Sequence, residues 1–216
     1  MRSLLTTWLL VGVAITPAAV GAQAQPPAPE LAARIQARYA TVRDFTADFT
    51  LLQTSALVSR SGQDRGRVTV KKPGKMRWVF ITGNKSEVIA DGSQIYSYFP
   101  EDKVVRVVPQ PTGDTASSPL LLLTGRGDLT RDFTPVAKAQ VVEGSWRLTV
   151  TPKTPQPEFT ELTLVVEPVT LKLRGMVLLD DQGAIKNFTF TNLRENQSVP
   201  DSTFVFTIPK GVEVRR

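Results

Sequence analysis

No histidine and no cysteine occur among the 216 residues. Their absence removes whole classes of chemistry. There can be no Ser-His-Asp triad, Cys-His dyad, HExxH zinc site, paired-cysteine redox centre or haem held by His or Cys. Disulfides are impossible, so the fold rests on packing alone. Glycine-rich phosphate loops are missing too, because Gly125-Arg126-Gly127 lacks the Lys-Ser/Thr ending of a P-loop. The Asp and Glu spacing matches no calcium loop. Ser97, Ser117 and Ser118 have no imidazole to activate them. Glu101-Asp102 and Asp180-Asp181 fall in turn-like stretches, where acidic residues are ordinary. The expectation is a protein without catalytic residues, metal or cofactor.

Long apolar runs are scarce as well, and the chief one is at the start. Arg2 precedes the run Leu4 to Ile15, and Ala22-Gln23-Ala24 has the small-x-small form of a cleavage site. Residues 1–24 therefore read as a signal peptide, with 25–216 as one exported domain. No cysteine stands at the cut, so the signal is not of the lipoprotein type. The run is short for a membrane span, which points to a soluble periplasmic product.

Charge is in mild excess of one sign, with 26 Lys and Arg against 20 Asp and Glu. The basic residues are dispersed, apart from Lys71, Lys72, Lys75 and Arg77. Without a basic stripe carrying stacking aromatics, and with export expected, nucleic acid is not a partner. The cluster reads as a solvated strand face, or as a weak attraction to anionic headgroups or an acidic partner.

What is present is alternation. A proline- and alanine-rich lead-in precedes one amphipathic helix at about 30–42, with Leu31, Ile35, Tyr39 and Val42 at helical spacing. Then the period becomes two. Phe45, Ala47, Phe49 and Leu51 form one such series, and Met76, Trp78 and Phe80 another. Trp146-Leu148-Val150, Leu162-Leu164-Val166, Phe188-Phe190 and Phe204-Phe206-Ile208 continue it. Such runs make sheets with one wet and one apolar face. Pro73-Gly74 suits a type II turn, and Asp91-Gly92 and Asp181-Gln182-Gly183 suit tight turns. The chain reads as mainly β, an antiparallel barrel or sandwich of about ten or eleven strands.

One segment breaks the pattern. Ser118 can cap a helix, Pro119 suits its first position and Gly125 its C-terminal stop. Between them lie Leu120, Leu121, Leu122 and Leu123. A turn apolar on every side cannot lie on a wet surface, and a curved sheet offers it a concave apolar face to plug. The large, soft side chains Phe49, Met76, Trp78 and Phe80 suit a cavity for flexible apolar chains.

These residues carry a resemblance. Gly66-Arg67-Val68-Thr69-Val70-Lys71-Lys72-Pro73-Gly74-Lys75-Met76-Arg77-Trp78 resembles the "G-x-x-x-V-K-R-P-x-x-x-x-W" segment of the LolA family of outer-membrane lipoprotein carriers. Residues 90–100, Ala90-Asp91-Gly92 to Tyr98-Phe99-Pro100, resemble its "S-D-G-x-x-L-W-x-Y-x-P". The leucine run resembles its lid helix, and residues 148–153 its "L-x-P-K". Residues 204–212 resemble its "F-x-F-x-P-P-x-G-V" ending. No one motif is strong, but the five follow in register behind the signal.

The resemblance implies an incompletely closed antiparallel β-barrel of about eleven strands, with an N-terminal helix and a short helical lid over an apolar cavity. It implies a monomeric periplasmic chaperone that takes acylated lipoproteins from an inner-membrane lipoprotein-releasing ABC transporter to an outer-membrane lipoprotein receptor. Phe49, Leu51, Met76, Trp78, Phe80 and Val88 are the expected acyl-chain cavity, and Leu120 to Leu123 the lid. The family's lid-latching Arg falls on Lys72, expected to donate to a lid backbone carbonyl. A related exported lipid or glycolipid carrier, or a lipoprotein-sensing domain of the same fold, is the alternative. A plain sandwich with a dry core is the third reading.

Overall fold

A computed structural model describes residues 26–55, 62–83, 85–111, 119–136, 140–156 and 158–216. The expected signal peptide, and Ser117 and Ser118, lie outside the described residues. The first element is helix α1 (Ala28–Ala40), which buries Ala28, Leu31, Ala32 and Ile35, a stripe at helical spacing. Strands β1 (Asp44–Thr54), β2 (Gly62–Lys71), β3 (Lys75–Phe80), β4 (Glu87–Asp91), β5 (Gln94–Phe99) and β6 (Val104–Pro109) follow as a meander. Then come two short helices, α2 (Pro119–Leu123) and α3 (Leu129–Asp132). The second half adds β7 (Phe133–Pro135), β8 (Gln140–Val142), β9 (Ser145–Pro152), β10 (Glu161–Val166), β11 (Leu173–Leu179), β12 (Ile185–Glu195) and β13 (Glu213–Arg215).

These strands form one sheet in the order β13-β6-β5-β4-β3-β2-β1-β12-β11-β10-β9-β7, with β8 also on β9. The two meanders join where β1 meets β12, Phe49 opposite Phe190 and Leu51 opposite Phe188. The sheet ends, β13 and β7, are not paired with each other, so the barrel is incompletely closed, as expected. The strand number differs from about eleven because β7, β8 and β13 are only three residues long and carry no readable alternation.

The period-two faces sort as the pattern requires. On β3, Met76 and Trp78 are buried, while Arg77 points outward to the Glu87 carboxylate. Gly66, opposite Phe49, has no room for a side chain: a Cβ there would lie 2.1 Å from the Val79 carbonyl and 2.5 Å from the Phe49 ring. The aromatic ring fills the space that the glycine leaves.

Two local expectations are corrected. Phe204, Phe206 and Ile208 form no strand. Asp201–Phe204 is a 3-10 turn that buries Phe204, and Val205 and Ile208 are exposed. The cause is the basic cluster. Lys71 and Lys75 both reach the Asp201 carboxylate, at 2.6 and 2.9 Å, and Arg77 donates to the Thr203 carbonyl. They strap this segment across the outside of the sheet, and their hydrogen bonds hold the Asp201 carboxyl down at about 2. Lys71, Lys75 and Arg77 are thus fasteners rather than a free basic patch. The Lys72-Pro73 peptide is cis, and Gly74 takes a positive φ of 77°.

Candidate functional site: a lidded apolar cavity

Between the two meanders lies a cavity of about 520 Å³. One wall is Met76, Trp78 and Phe80 of β3 with Val88 of β4 and Ile95 of β5; the facing wall is Met176 and Leu178 of β11 with Phe188 of β12. Pro119 and Leu121 of α2 form the roof. Gln156, Glu158 and Lys186 are the polar residues at its border, besides Gln110.

The six expected cavity residues divide. Met76, Trp78, Phe80 and Val88 line the cavity. Phe49 and Leu51 do not border it. Phe49 stands behind the wall, its ring 5.0 Å from Trp78, 5.1 Å from Phe80 and 6.1 Å from Phe188. It buttresses the lining aromatics instead of facing the space. Leu51 is buried in the same core. The sequence reading missed the opposite wall, although Phe188 was visible as an alternating aromatic. Strand alternation says which residues share a face, but the cross-barrel partner depends on sheet closure.

The lid divides as well. Leu121 roofs the cavity, whereas Leu122 and Leu123 turn to α1, α3 and β10 and border a space of only about 30 Å³ with Ile35, Leu129 and Leu164. The Leu120 side chain lies outside the described residues. The helix stops because Gly125 takes a φ of 72°, letting the Arg126 N–H return to the Leu121 carbonyl at 2.9 Å. A Cβ at Gly127 would lie 2.9 Å from the Leu122 backbone nitrogen, so this position too has no room for a side chain.

How the lid is held differs from expectation. Lys72 does not donate to a lid carbonyl. Its ammonium donates to the carbonyl of Tyr39 at the end of α1 and lies 3.5 Å from the centre of the Tyr39 ring. A lysine is a point charge, and the exposed carbonyls of a helix C-terminus attract it. Tyr39 is the residue that reaches the lid: its hydroxyl donates to the Leu123 carbonyl at 2.7 Å. Two further contacts join the lid's C-terminal end to hairpin turns. The Gly74 N–H donates to the Thr124 carbonyl at 2.9 Å, and Arg126 donates to the Gly92 carbonyl. The stem of Lys72 packs against Gly125. Tyr39 and Arg126 were not singled out from the sequence. Tyr39 reads there as one more apolar position of α1, and nothing local marks its hydroxyl as buried.

Burial sets the electrostatics of this corner. Desolvation, with the Glu195 carboxylate adding to it, drives the Tyr39 hydroxyl far above its usual range, so it is a permanent donor. Lys72 is pushed down to about 8, first by burial and then by the Arg38 charge, with Glu195 opposing. Arg38 and Glu195 form an ion pair beside them. Around the cavity, the Trp78 indole Nε1 and the Gln110 Oε1 are buried with no hydrogen-bond partner among the described residues, although Gln110 Nε2 donates to the Gly74 carbonyl at 3.0 Å.

Among the described residues no group of His, Cys, Asp or Glu could hold a metal ion, and no helix is long and apolar enough to cross a membrane. The arrangement is that of a container: an apolar chamber, a roof and a fastening.

Comparison with known proteins agrees. Residues 40–207 match the family model "Outer membrane lipoprotein carrier protein LolA". The outer-membrane lipoprotein carrier protein of Dechloromonas aromatica is 33% identical over 80% of this chain and 81% of its own. That of Chromohalobacter salexigens is 30% identical over 86% of each chain. Among solved structures, an uncharacterized conserved protein from Thermus thermophilus superposes with a TM-score of 0.54 at 12% identity, over 87% of this chain and 98% of that one. That likeness shows the fold alone.

Proposed function

The chain belongs to the family of outer membrane lipoprotein carrier protein LolA, and from that premise we propose that it carries acylated lipoproteins through the periplasm, sheltering their acyl chains under the lid. The observation that carries this reading is the chamber of about 520 Å³ walled by Met76, Trp78, Phe80, Val88 and Phe188 and roofed by Leu121. A filled core would leave no such space. Export by the segment 1–24 places the carrier between donor and acceptor. An inner-membrane lipoprotein-releasing ABC transporter is the donor, and an outer-membrane lipoprotein receptor is the acceptor. No bond is made or broken, so the protein needs no catalytic group.

The energetics explain why such a carrier closes loosely. Burying a methylene is worth ~0.8 kcal/mol, so a 16-carbon chain gains ~13 kcal/mol if fully sheltered. Three such chains would exceed the ~20 kcal/mol ceiling of non-covalent affinity and would not be released. Cargo must therefore displace the lid and remain partly sheltered. The lid fastening found here suits that need. It consists of the Tyr39 hydroxyl, one backbone N–H and the Arg126 guanidinium, each a bond of modest net worth.

The test is reconstitution. Spheroplasts or proteoliposomes that hold the releasing transporter and a triacylated lipoprotein are incubated with residues 25–216. The expected result is a soluble 1:1 complex that appears only with carrier and ATP. Lipoprotein that stays in the membrane in the presence of folded carrier would refute the proposal.

A further inference from the structure

The outer face of the sheet carries a second hollow, which the carrier reading leaves unused. It is an open groove of about 530 Å³ between strands β1, β2 and β12 and the C-terminal strap held by Lys71, Lys75 and Arg77. The chamber lies on the opposite face. The groove floor is a row across three strands: Arg194 of β12 pairs with Thr46 of β1, and Thr46 pairs with Thr69 of β2. Directly paired residues share a face, and at ~4.8 Å between strands the row is ~10 Å long. Val199 and Thr203 of the strap form a wall, and Asp48, Arg67 and Asn192 border the groove beside the row.

Its polar groups are unevenly committed. Asp48 is satisfied: Asn192 Nδ2 donates to it at 2.8 Å and Arg67 Nε at 3.2 Å, and these bonds hold its carboxyl below the usual range. Arg194 acts on that carboxyl only through its charge. It is exposed, with neither an ion pair nor a hydrogen bond among the described residues. Thr69 is only 9% exposed, yet its hydroxyl has no hydrogen-bond partner among the described residues. Buried hydroxyls are ordinarily paired, so an unpaired one that borders a groove beside an unpaired guanidinium points to a ligand.

We propose that this groove binds an acidic, extended peptide segment of a partner protein. One carboxylate meets Arg194, and the hydroxyls of Thr46 and Thr69 donate to it. Two guanidiniums face one committed carboxylate, so the groove is net positive and repels a basic segment. The lining is polar apart from Ala47 and Val199, so it offers nothing to an acyl chain. Thr69 is recessed, out of reach of a flat bilayer surface, whereas a single extended strand can lie along the row. The proposal does not depend on the chamber: a partner held here leaves the lid and the chamber unobstructed.

The probe is a fluorescein-labelled peptide of Ser-Glu repeats, about eight residues long and so longer than the row at ~3.3 Å per residue. Ser-Gln and Ser-Lys repeats are the controls. Each is titrated into the protein at low ionic strength by anisotropy, and backbone amide shifts are followed by NMR. The Glu peptide is expected to bind 1:1 and to shift the amides of Thr46, Thr69 and Arg194, and the controls are not. Arg194→Glu should weaken it about tenfold or more. Thr69→Val keeps the shape, drops the hydroxyl and should weaken it about threefold. Lys210→Glu makes the same change of net charge at an exposed residue that does not border the groove, and its effect should stay within about twofold. Equal losses in Arg194→Glu and Lys210→Glu would mean attraction by net charge alone and overturn the proposal. So would equal binding of the Glu and Gln peptides, which needs no variant. Inorganic phosphate that gives the same amide shifts at the same concentration would make this a small-anion site. Arg194-dependent retention on phosphatidylglycerol vesicles would make it a membrane contact. Either result overturns the peptide site. None of these outcomes touches lipoprotein loading, which tests the carrier reading separately.

Discussion

The two ends of the lid meet opposite surroundings. Leu122 and Leu123 press into a packed region with Ile35, Leu129 and Leu164, where about 30 Å³ is left over. Leu121, one residue earlier, covers a chamber of about 520 Å³. One helical turn therefore carries both a structural contact and a functional one. The packed end is where dispersion and burial supply stability. At the hollow end Phe80, Val88, Leu178 and Phe188 are only half-buried, and under the proposed function an acyl chain supplies their missing contacts. Substitutions should separate the two ends.

The largest stability effect belongs to the packed end. Leu129 is 1% exposed, and Leu129→Ala should cost about 3 kcal/mol, the usual range for a buried leucine being 2–5. Denaturant unfolding should show that loss while lipoprotein binding by the folded fraction stays normal. At the hollow end the ranking should reverse. Val88 is half-buried on the chamber wall. Val88→Asp can keep its carboxylate hydrated in the empty protein, but it sets a charge beside acyl chains. Lipoprotein loading should fall by more than tenfold, with a stability change of about 1 kcal/mol or less. Equal losses of stability in the two variants would erase the distinction between the ends.

The middle-sized prediction concerns the fastening between them. Tyr39→Phe removes only the hydroxyl that donates to the Leu123 carbonyl. The ring stays against Phe45 and under Lys72, and the carbonyl loses its buried partner. The expected cost is about 1–2 kcal/mol of closed lid, a shift of roughly five- to thirtyfold toward the open form. Hydrogen exchange of the α2 and Gly125-Arg126 amides should speed up by that factor, with the strands unaffected. Lys72→Leu, in contrast, should loosen the lid less, because Lys72 acts on Tyr39 and not on the lid backbone.

How much of this was legible in sequence follows from the range of the signals. Period-two alternation on Met76-Trp78-Phe80 fixes which side chains share a face, and that face does line the chamber. Leucine at four consecutive positions forces the lid to be covered on all sides, and Pro119 and Gly125 mark its ends. These are local signals. The opposite wall, Met176, Leu178 and Phe188, depends on β1 pairing with β12 across the middle of the barrel, which no local pattern encodes. Phe49 was placed on the chamber because it shares the apolar face, but Gly66 opposite it lets its ring sink behind Trp78. Lys72, which the resemblance puts at the lid, packs its stem against Gly125 but donates to α1. Its partner could not be read, because Tyr39 is 33 residues away, and the Tyr39–Leu123 contact that reaches the lid spans 84.

The smallest effect is the pH response of that corner, and its sign is fixed. Burial first, and Arg38 second, lower the Lys72 ammonium from 10.5 to about 8. In the folded protein the charged form is therefore disfavoured relative to the unfolded chain. That penalty is fully present below pH 8. Between pH 8 and 10.5 the unfolded chain holds the proton that the folded one has released, so stability rises with pH across this window. Glu195 opposes the shift, and the amine is partly solvated, so the slope should stay below one proton per molecule. Tyr39 acts in the other direction only above about pH 10, where an unfolded tyrosine ionises and the buried one does not. The clean interval is pH 8 to 9.5. Proton uptake on denaturant unfolding there should be larger for the wild type than for Lys72→Met, whose chain has nothing to titrate at this place. Identical pH slopes for the two proteins would mean that Lys72 is as well hydrated as any surface lysine. The contact with the Tyr39 ring and carbonyl would then contribute nothing to holding the packed end of the lid.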